Sequence, residues 1–347
     1  MKKILKAAAA AALACPLFAL MASPAGAADS LARYQGPDRE ARLLEAAKKE
    51  GAVSIYYIFP NLSSLTDAFT RKYGIKVQAW RSSSEGVLQR VLTESRGNRF
   101  EVDLIQNSAQ ENEALHREHL LQPVISPNYA NIIPEAVQAH HDWVGTKINV
   151  FISAYNTQVV KKEDVPASYE GFLDPKWKGK LGIEGNNQHW FATLSKAMGE
   201  DKARQLFGKI VDTNGISVRR GHSQLANLVA SGEVPVSLTL YDWNIGPLQK
   251  KGAPIAALPL PPSVAQFDTL GMHARAPHPN AALLFYDFML SEEGQKLIAA
   301  AGAIPVLKNF DSPYTRQPLH FVDPGQAIDM NDAWRKTFED VILKKAG

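Results

Sequence analysis

The sequence predicts an α/β protein with two lobes, in which mostly parallel sheets carry helices on both faces. Three observations predict this class. Short β-branched and aromatic runs alternate with helical segments early in the chain, a long apolar run crosses the middle, and a second alternating set follows it. Such alternation is typical of βαβ units, and 347 residues suffice for about two domains.

The first lobe begins with a helix over residues 38–51, whose apolar residues recur at helical spacing and which ends at Gly51. The next two helices also end at glycines, Gly74 and Gly97. The predicted strands are 52–59, 75–80 and 102–107, and the helices that follow them are 60–74, 84–97 and 110–119.

The apolar run KINVFISAYNT, residues 147–157, is predicted to be a crossover strand into the second lobe. The second lobe then has strands 181–185 and 234–240 and helices 189–199, 201–211 and 223–233. Residues 252–262 are extended and proline-rich, and residues 267–276 are predicted to cross back. Residues 280–302 fit one long helix or two joined helices.

This order divides the chain into a discontinuous first lobe and a continuous second lobe. We expect residues 28–150 plus 270–347 to form lobe 1 and residues 151–269 to form lobe 2. A cleft is expected at the hinge, and clefts between domains are favoured places for small ligands.

The N-terminus has the pattern of an export signal, for which we expect residues 1–27. Lys2, Lys3 and Lys6 precede an apolar run, and Ala25-Gly26-Ala27 fits a cleavage site. We therefore expect a periplasmic protein. The alternative is a lipoprotein signal that uses Cys15 in the motif ALAC.

Charge and cysteine content exclude several classes of site. Cys15 is the only cysteine, so a mature chain would have no disulfide and no thiolate site. The net charge of +3 comes from the signal, because removing its three lysines from the 38 basic residues leaves 35 against 35 acidic residues. A near-neutral chain without long basic runs argues against nucleic-acid binding.

Candidate ligand-binding residues follow from the rule that ligands lie beyond the carboxyl ends of the strands in an open α/β sheet. Each strand-end turn contains hydroxyl, amide, aromatic or cationic groups. The candidates in lobe 1 are Tyr57, Arg81, Ser82, Ser83, Ser84 and Asn107, and those in lobe 2 are Asn187, His189, Trp190, Arg219, Arg220, His222, Tyr241 and Asp242.

Two of these turns favour an anion. The serines of SSSE, residues 82–85, precede a helix whose first N–H groups can bind an oxyanion, although one serine can serve only as a helix cap. In RRGHSQ an arginine offers two parallel hydrogen bonds to a carboxylate or phosphate. Adjacent strand residues point to opposite faces, so we expect only one of Arg219 and Arg220 to reach the cleft, the other being solvated.

Catalytic and cofactor signatures are absent from the sequence. It contains no GxSxG, HExxH or GxxxxGK[ST] motif, and we expect neither catalysis nor a resident cofactor. Tyr241 and Asp242 are the residues that we expect to bind iron if the ligand is a metal.

Several stretches together carry a resemblance to a known family: SEGVLQRVLTESRGNRFEVDLI, SYEGFLDPKWKGKLGIE, RRGHSQLANLVASGEVPVSL and APHPNAALLFYDFMLSEEGQKLI. Their order resembles the solute-binding proteins of bacterial ABC importers, in the ferric-iron-binding branch of the type 2 periplasmic-binding-protein fold. The resemblance spans about residues 50–305. It implies a monomer that carries a small solute between two hinged lobes to a permease in the inner membrane.

The resemblance does not carry over the ferric site. Ferric-binding members use a histidine after the first strand, a glutamate after the third and two adjacent tyrosines later. Here only Tyr241 matches, because Asp242 stands at the second tyrosine. We therefore expect a small, anionic organic solute such as a carboxylate, phosphonate or sugar phosphate. The alternatives are ferric ion with a synergistic anion and an exported hydrolase.

Overall fold

The computed structural model describes residues 31–343. The expected signal peptide, residues 1–27, and its lipoprotein alternative at Cys15 lie outside these residues. Within them, no helix combines the length and apolar character that crossing a bilayer requires.

The described residues form two groups of helices around one continuous sheet. Its main strand order is β2-β1-β3-β10-β5-β8-β6-β7, and β4, β9, β11 and β12 pair beside this path. The strands are β1 (Ala52–Tyr57), β2 (Lys76–Arg81), β3 (Leu104–Ser108), β4 (Leu121–Gln122), β5 (Trp143–Asn156), β6 (Leu181–Glu184), β7 (Ser217–Arg219), β8 (Val236–Tyr241), β9 (Ile255–Leu258), β10 (Ser263–His273), β11 (Ile304–Pro305) and β12 (Leu319–Phe321). The helices are α1 (Arg39–Glu50), α2 (Ser63–Tyr73), α3 (Ser84–Arg96), α4 (Ala109–Arg117), α5 (Gln188–Met198), α6 (Glu200–Asn214), α7 (His222–Ser231), α8 (Ile245–Lys250), α9 (Pro279–Leu290), α10 (Glu292–Ala300), α11 (Pro324–Asp329) and α12 (Asn331–Phe338).

The α/β class and the two-lobed architecture are confirmed, and the centre of the sheet is antiparallel. In lobe 1, β1 pairs in parallel with β2 and β3. In lobe 2, β6 pairs in parallel with β7 and β8. The two long strands β5 and β10 join these halves, and each runs antiparallel to its neighbours in this strand order, while the short β12 pairs in parallel with β10. They correspond to the two predicted crossover strands, and their length lets each contribute to both lobes.

Two separate hydrophobic cores support the lobes. One lies around α9, where Phe285 and Phe288 pack against Phe69 of α2. The other is rich in aromatic residues, with Trp190 and Phe207 in an edge-to-face contact at 5.7 Å between centroids. The second core is made by lobe 2 together with the C-terminal segment, whereas the first core also includes Leu225, Ala226 and Val229 of α7 in lobe 2.

Part of the C-terminal segment belongs to a different lobe from the one expected. We expected all of residues 270–347 in lobe 1, but Val322, Ala327, Phe338 and Ile342 are buried in the second core. Ala327 lies in α11 and Phe338 in α12, while Val322 follows β12 and Ile342 follows α12; α12 packs on α5 of lobe 2. The chain therefore crosses between the lobes a third time, after β11.

The segment 280–302 consists of two joined helices. They meet at Ser291, whose backbone is extended (φ −66°, ψ 162°) and whose hydroxyl accepts a hydrogen bond from the Gly294 N–H at 3.1 Å. A Cβ at Gly294 would lie 2.2 Å from the Phe288 carbonyl oxygen. A serine cap and a glycine that permits close approach therefore produce the break.

Candidate functional site

A cavity of about 830 Å³ is lined by residues of both lobes. Its walls come from the turn after β1, the ends of β2, β3 and β8, the helix α8 and the segments 299–304 and 310–314. Its floor is made by the two crossover strands. The cavity thus lies at the hinge, where the sequence predicts a cleft.

Four polar side chains from the middle of β5 and β10 form the cavity floor. They are Lys147 and Asn149 on β5 and Gln266 and Asp268 on β10. Residues two apart on a strand share a face, and the antiparallel register pairs Lys147 with Asp268 and Asn149 with Gln266. Backbone register therefore brings all four to one patch.

The floor neutralises its own charge. The Lys147 ammonium lies 3.0 Å from the Asp268 carboxylate, and both residues are buried. The Asn149 side-chain amide donates to the same carboxylate at 2.7 Å, and the Gln106 amide approaches it at 3.4 Å. Such a network compensates two buried charges, so the floor presents polar groups without a net charge.

Two cations line the cavity from opposite lobes, Arg81 at the end of β2 and Lys250 at the end of α8. No carboxylate within residues 31–343 forms an ion pair with either of them. Arg81 Nε has only a long contact, 3.4 Å, with the Ile58 carbonyl oxygen. Asp311, also at the cavity, is already paired with Arg316 at 2.9 Å. Within the described residues, the wall groups without an ion-pair partner are therefore these two cations and the buried carboxyl of Asp242, and the cations are in excess.

The N-terminus of α3 adds to this positive wall. Ser84, its first residue, lines the cavity, while the Ser83 hydroxyl caps the helix by accepting from the Gly86 N–H at 3.1 Å. Free N–H groups in the first turn of a helix favour an anion. Ser83 thus serves as the helix cap, and Ser84 is the serine of this turn that lines the cavity.

We expect Ser83→Ala to lower the free energy of unfolding by about 1 kcal/mol, because it removes the cap of α3. Solute affinity should change less than about twofold, since Ser83 does not line the cavity. Urea unfolding and calorimetry measure the two effects. A large loss of affinity at unchanged stability would instead place Ser83 in contact with the solute.

Tyr241 and Asp242, at the end of β8, also line the cavity. The Tyr241 hydroxyl accepts a hydrogen bond from the Gln266 amide at 2.9 Å, and its ring stacks on Trp243 with 5.6 Å between centroids. Burial raises the pKa of Tyr241, which favours the neutral phenol. Burial also raises the pKa of Asp242 to about 6, although its carboxylate accepts from the Val150 N–H at 2.8 Å.

His222 lies behind Tyr241 and does not line the cavity. Its ring is 4.3 Å from the Tyr241 ring, and its Nε2 is 3.2 Å from the Asn187 Oδ1. Burial lowers the pKa of His222 to about 4, so the ring is neutral near pH 7. His222 supports Tyr241 and supplies no positive charge to the cavity.

The structure places the arginines of RRGHSQ away from the cavity, in contrast to the expectation that one of them reaches it. Arg219 lies 3.7 Å from Glu233, and Arg220 is exposed. The physical reason is sheet order, because β7 is the outermost strand of lobe 2. Its carboxyl end is two strands removed from β8, where the cavity begins.

The three candidates of the GNNQHW turn also lie outside the cavity. Asn187 is buried and donates to the Thr239 hydroxyl at 2.6 Å. His189 lies 3.3 Å from the Asn331 Oδ1 and against the Trp334 ring, where α12 covers this turn. Trp190 belongs to the second core. The C-terminal segment thus occupies the place that we expected for ligand.

The other lobe 1 candidates stand next to the cavity without lining it. Tyr57 is half-buried, and its carbonyl oxygen accepts from the Ser82 N–H at 3.2 Å. Asn107 is buried and donates to the Ser84 carbonyl oxygen at 3.1 Å. Asn107 therefore positions the start of α3, whose first turn faces the cavity.

Sequence reasoning missed the cavity floor. The signal was present, because Lys147 and Asn149 alternate with apolar residues inside an otherwise apolar run, as do Gln266 and Asp268. A charged residue at such a strand position is costly unless it is paired. Lysine and aspartate on two predicted crossover strands could therefore have been proposed as partners.

Comparison with known proteins agrees with the fold. The model of the family "Bacterial extracellular solute-binding protein" matches residues 64–321. Iron uptake protein A1 of Synechocystis sp. is 26% identical over 247 residues, which cover 67% of this chain and 68% of that protein.

Two solved structures show the same fold. Iron-bound HitA from Pseudomonas aeruginosa has a TM-score of 0.69 at 21% identity, covering 82% of this chain and 99% of that one. AfuA from Actinobacillus pleuropneumoniae, with exogenous fructose-6-phosphate bound, has a TM-score of 0.67 at 23% identity, covering 85% and 99%. With the family model matching most of its length and a two-lobed fold around a hinge cavity, the chain belongs to the bacterial extracellular solute-binding protein family.

Proposed function

We propose that this protein reversibly binds a small organic anion between its lobes, as the periplasmic component of an ABC importer. The ligand class is a carboxylate, phosphonate or sugar phosphate. The observation that carries the proposal is the pair of cations, Arg81 and Lys250, which line the cavity from opposite lobes while the floor neutralises itself. An anion held by both lobes would favour the closed form.

The size and the walls of the cavity support an organic solute over a bare ion. Small-molecule sites measure about 300–1,000 Å³, and this cavity of about 830 Å³ falls within that range. Phe59, Trp243, Phe310 and Tyr314 provide apolar and aromatic surface at its walls. A solute with an anionic group and an apolar or ring-shaped body would use both kinds of wall.

The proposed mechanism is hinge closure without any covalent step. The crossover strands β5 and β10 connect the lobes, and the third connection follows β11. Solute contacts made by both lobes would shift the population toward the closed form, which would then dock as a monomer on the permease. The solute is released unchanged to the permease.

Calorimetry with a panel of anions tests the proposal. The panel contains fructose-6-phosphate, a phosphonate, small mono- and dicarboxylates and uncharged sugars of matched size. We expect at least one organic anion to bind with one-to-one stoichiometry and its uncharged analogue not to bind. Small-angle scattering of the same complex should show a smaller radius of gyration. Preference for the uncharged analogues would contradict the proposal.

The affinity for a carboxylate solute should rise as the pH falls from 8 to 5. Burial raises the pKa of Asp242 to about 6 and that of Glu111 to about 7. Asp242 lines the cavity, and Glu111 accepts from the Ser108 hydroxyl at the cavity wall without lining it. Below these pKa values both carboxyls are protonated, so the negative charge at and beside the cavity falls and an anion is repelled less. We expect an increase of about three- to tenfold, measured by calorimetry. The double variant Asp242→Asn/Glu111→Gln should bind with a nearly constant affinity over this range, and an equally steep profile in that variant would assign the effect elsewhere.

Ferric ion is the second candidate ligand, favoured by one observation at the site. Tyr241 and Asp242 both line the cavity and offer oxygen ligands, and one relative is an iron uptake protein. The neutral Tyr241 hydroxyl already accepts from Gln266, and iron would have to displace its proton. A visible tyrosinate charge-transfer band after addition of ferric citrate, lost in Tyr241→Phe, would support iron over an organic anion.

A further inference from the structure

A cluster of metal-binding side chains lies outside the cavity, on the surface of lobe 1. Glu113 and His116 come from α4, and His140 comes from the loop before β5. One potential ligand atom from each lies within 4.8 Å of the other two. Glu113 and His116 are three residues apart on a helix and therefore share a face. None of the three lines the cavity.

The surroundings of His116 and Glu113 prepare them for a cation. His116 Nδ1 is 2.5 Å from the Asp142 carboxylate, so Nδ1 carries the proton and Nε2 keeps a free lone pair. Glu113 accepts from the Trp143 indole at 3.3 Å and from Arg117 Nε at 3.2 Å. A carboxylate behind a ligating histidine and an oriented ligating carboxylate are the usual supports of zinc sites.

We propose that Glu113, His116 and His140 bind one Zn²⁺ ion, with a water molecule in the fourth position. Two imidazoles and a carboxylate are a donor set that suits zinc, whereas ferric ion prefers oxygen ligands. The ion would connect α4 to the loop that leads into β5. The site is independent of the solute proposed for the cavity.

Zinc binding requires a local rearrangement of His140. Its Nδ1 accepts the Asp142 N–H at 3.0 Å, and its ring stacks on His116 with centroids 3.9 Å apart and planes 16° apart. Coordination through Nε2 needs the other tautomer, so this hydrogen bond is given up and the stack opens. The resulting site is weaker than a preformed structural zinc site, and its affinity falls with decreasing pH because the ligands must be deprotonated.

Calorimetric titration of the tag-free mature protein with zinc chloride tests the site. We expect one zinc per chain in the wild-type protein and no binding in His116→Gln/His140→Gln. Asp142→Asn should weaken binding by about 10- to 100-fold, since Asp142 only supports His116. His320→Gln changes an exposed histidine elsewhere and serves as the matched control.

Two further measurements make the result decisive. Circular dichroism without metal should show that each variant is folded, and Arg81→Ala should bind zinc like the wild-type protein because Arg81 belongs to the cavity. Absence of zinc binding in the wild-type protein would overturn the proposal, as would undiminished binding in the double histidine variant. Neither outcome bears on the anion proposed for the cavity.

Discussion

Arg81→Ala should weaken binding of the organic anion by about ten- to a hundredfold. Hydrogen bonds to charged groups contribute about 1.5–3 kcal/mol, and every 1.4 kcal/mol corresponds to about a factor of ten in affinity. Arg81 lines the cavity and has no carboxylate partner among residues 31–343, so its removal should cost binding energy without unpairing another charge. Calorimetry with the solute found in the anion panel measures the effect.

Arg220→Ala is the matched control for this experiment. Arg220 is an exposed arginine in lobe 2 that does not line the cavity. We expect its replacement to leave solute affinity within about twofold of the wild-type value. A strong loss in Arg220→Ala together with a weak loss in Arg81→Ala would move the anion to the RRGHSQ turn.

Asp268→Ala should lower the free energy of unfolding by about 3–5 kcal/mol. The change leaves the buried Lys147 ammonium without its carboxylate partner and removes the acceptor of the Asn149 amide. Because the pair joins β5 to β10, the loss affects the connection between the lobes. Urea unfolding followed by tryptophan fluorescence measures it.

Two control variants distinguish the two possible causes of this lost stability, which are a buried charge without a partner and the loss of an ion-pair contact. Lys147→Met/Asp268→Asn removes both charges and should recover at least about half of the loss, because no buried charge lacks a partner. Glu292→Ala breaks an exposed pair with Lys296 and should cost less than about 1 kcal/mol. If Asp268→Ala were as mild as Glu292→Ala, the floor network would not hold the crossover strands together.

Local sequence patterns predicted most of the helices and strands, because each has its own spacing of apolar residues and residues such as glycine that mark its end. The helix ending at Gly74 and the apolar strand before the first turn are examples. The C-terminal assignment failed because residues 322–342 pack against a core formed far earlier in the chain. Nothing local in that segment distinguishes one lobe from the other.

The candidate site was predictable only in part, and sheet order explains the difference. The rule that ligands lie beyond the carboxyl ends of the strands correctly predicted Arg81, Ser84, Tyr241 and Asp242 as cavity residues, since all four line the cavity. It also nominated Arg219, which ends the outermost strand of lobe 2. Sequence alone does not order the strands. The residues of the cavity floor were not predicted because they lie in the middle of their strands, where only the pairing of β5 with β10 brings them together.

Native mass spectrometry of the mature protein, purified without unfolding, tests the central claim most directly. The account predicts a species heavier than the chain by one small organic anion, absent from the Arg81→Ala variant prepared in the same way. An added mass equal to one iron ion, retained by Arg81→Ala and lost from Tyr241→Phe, would contradict it.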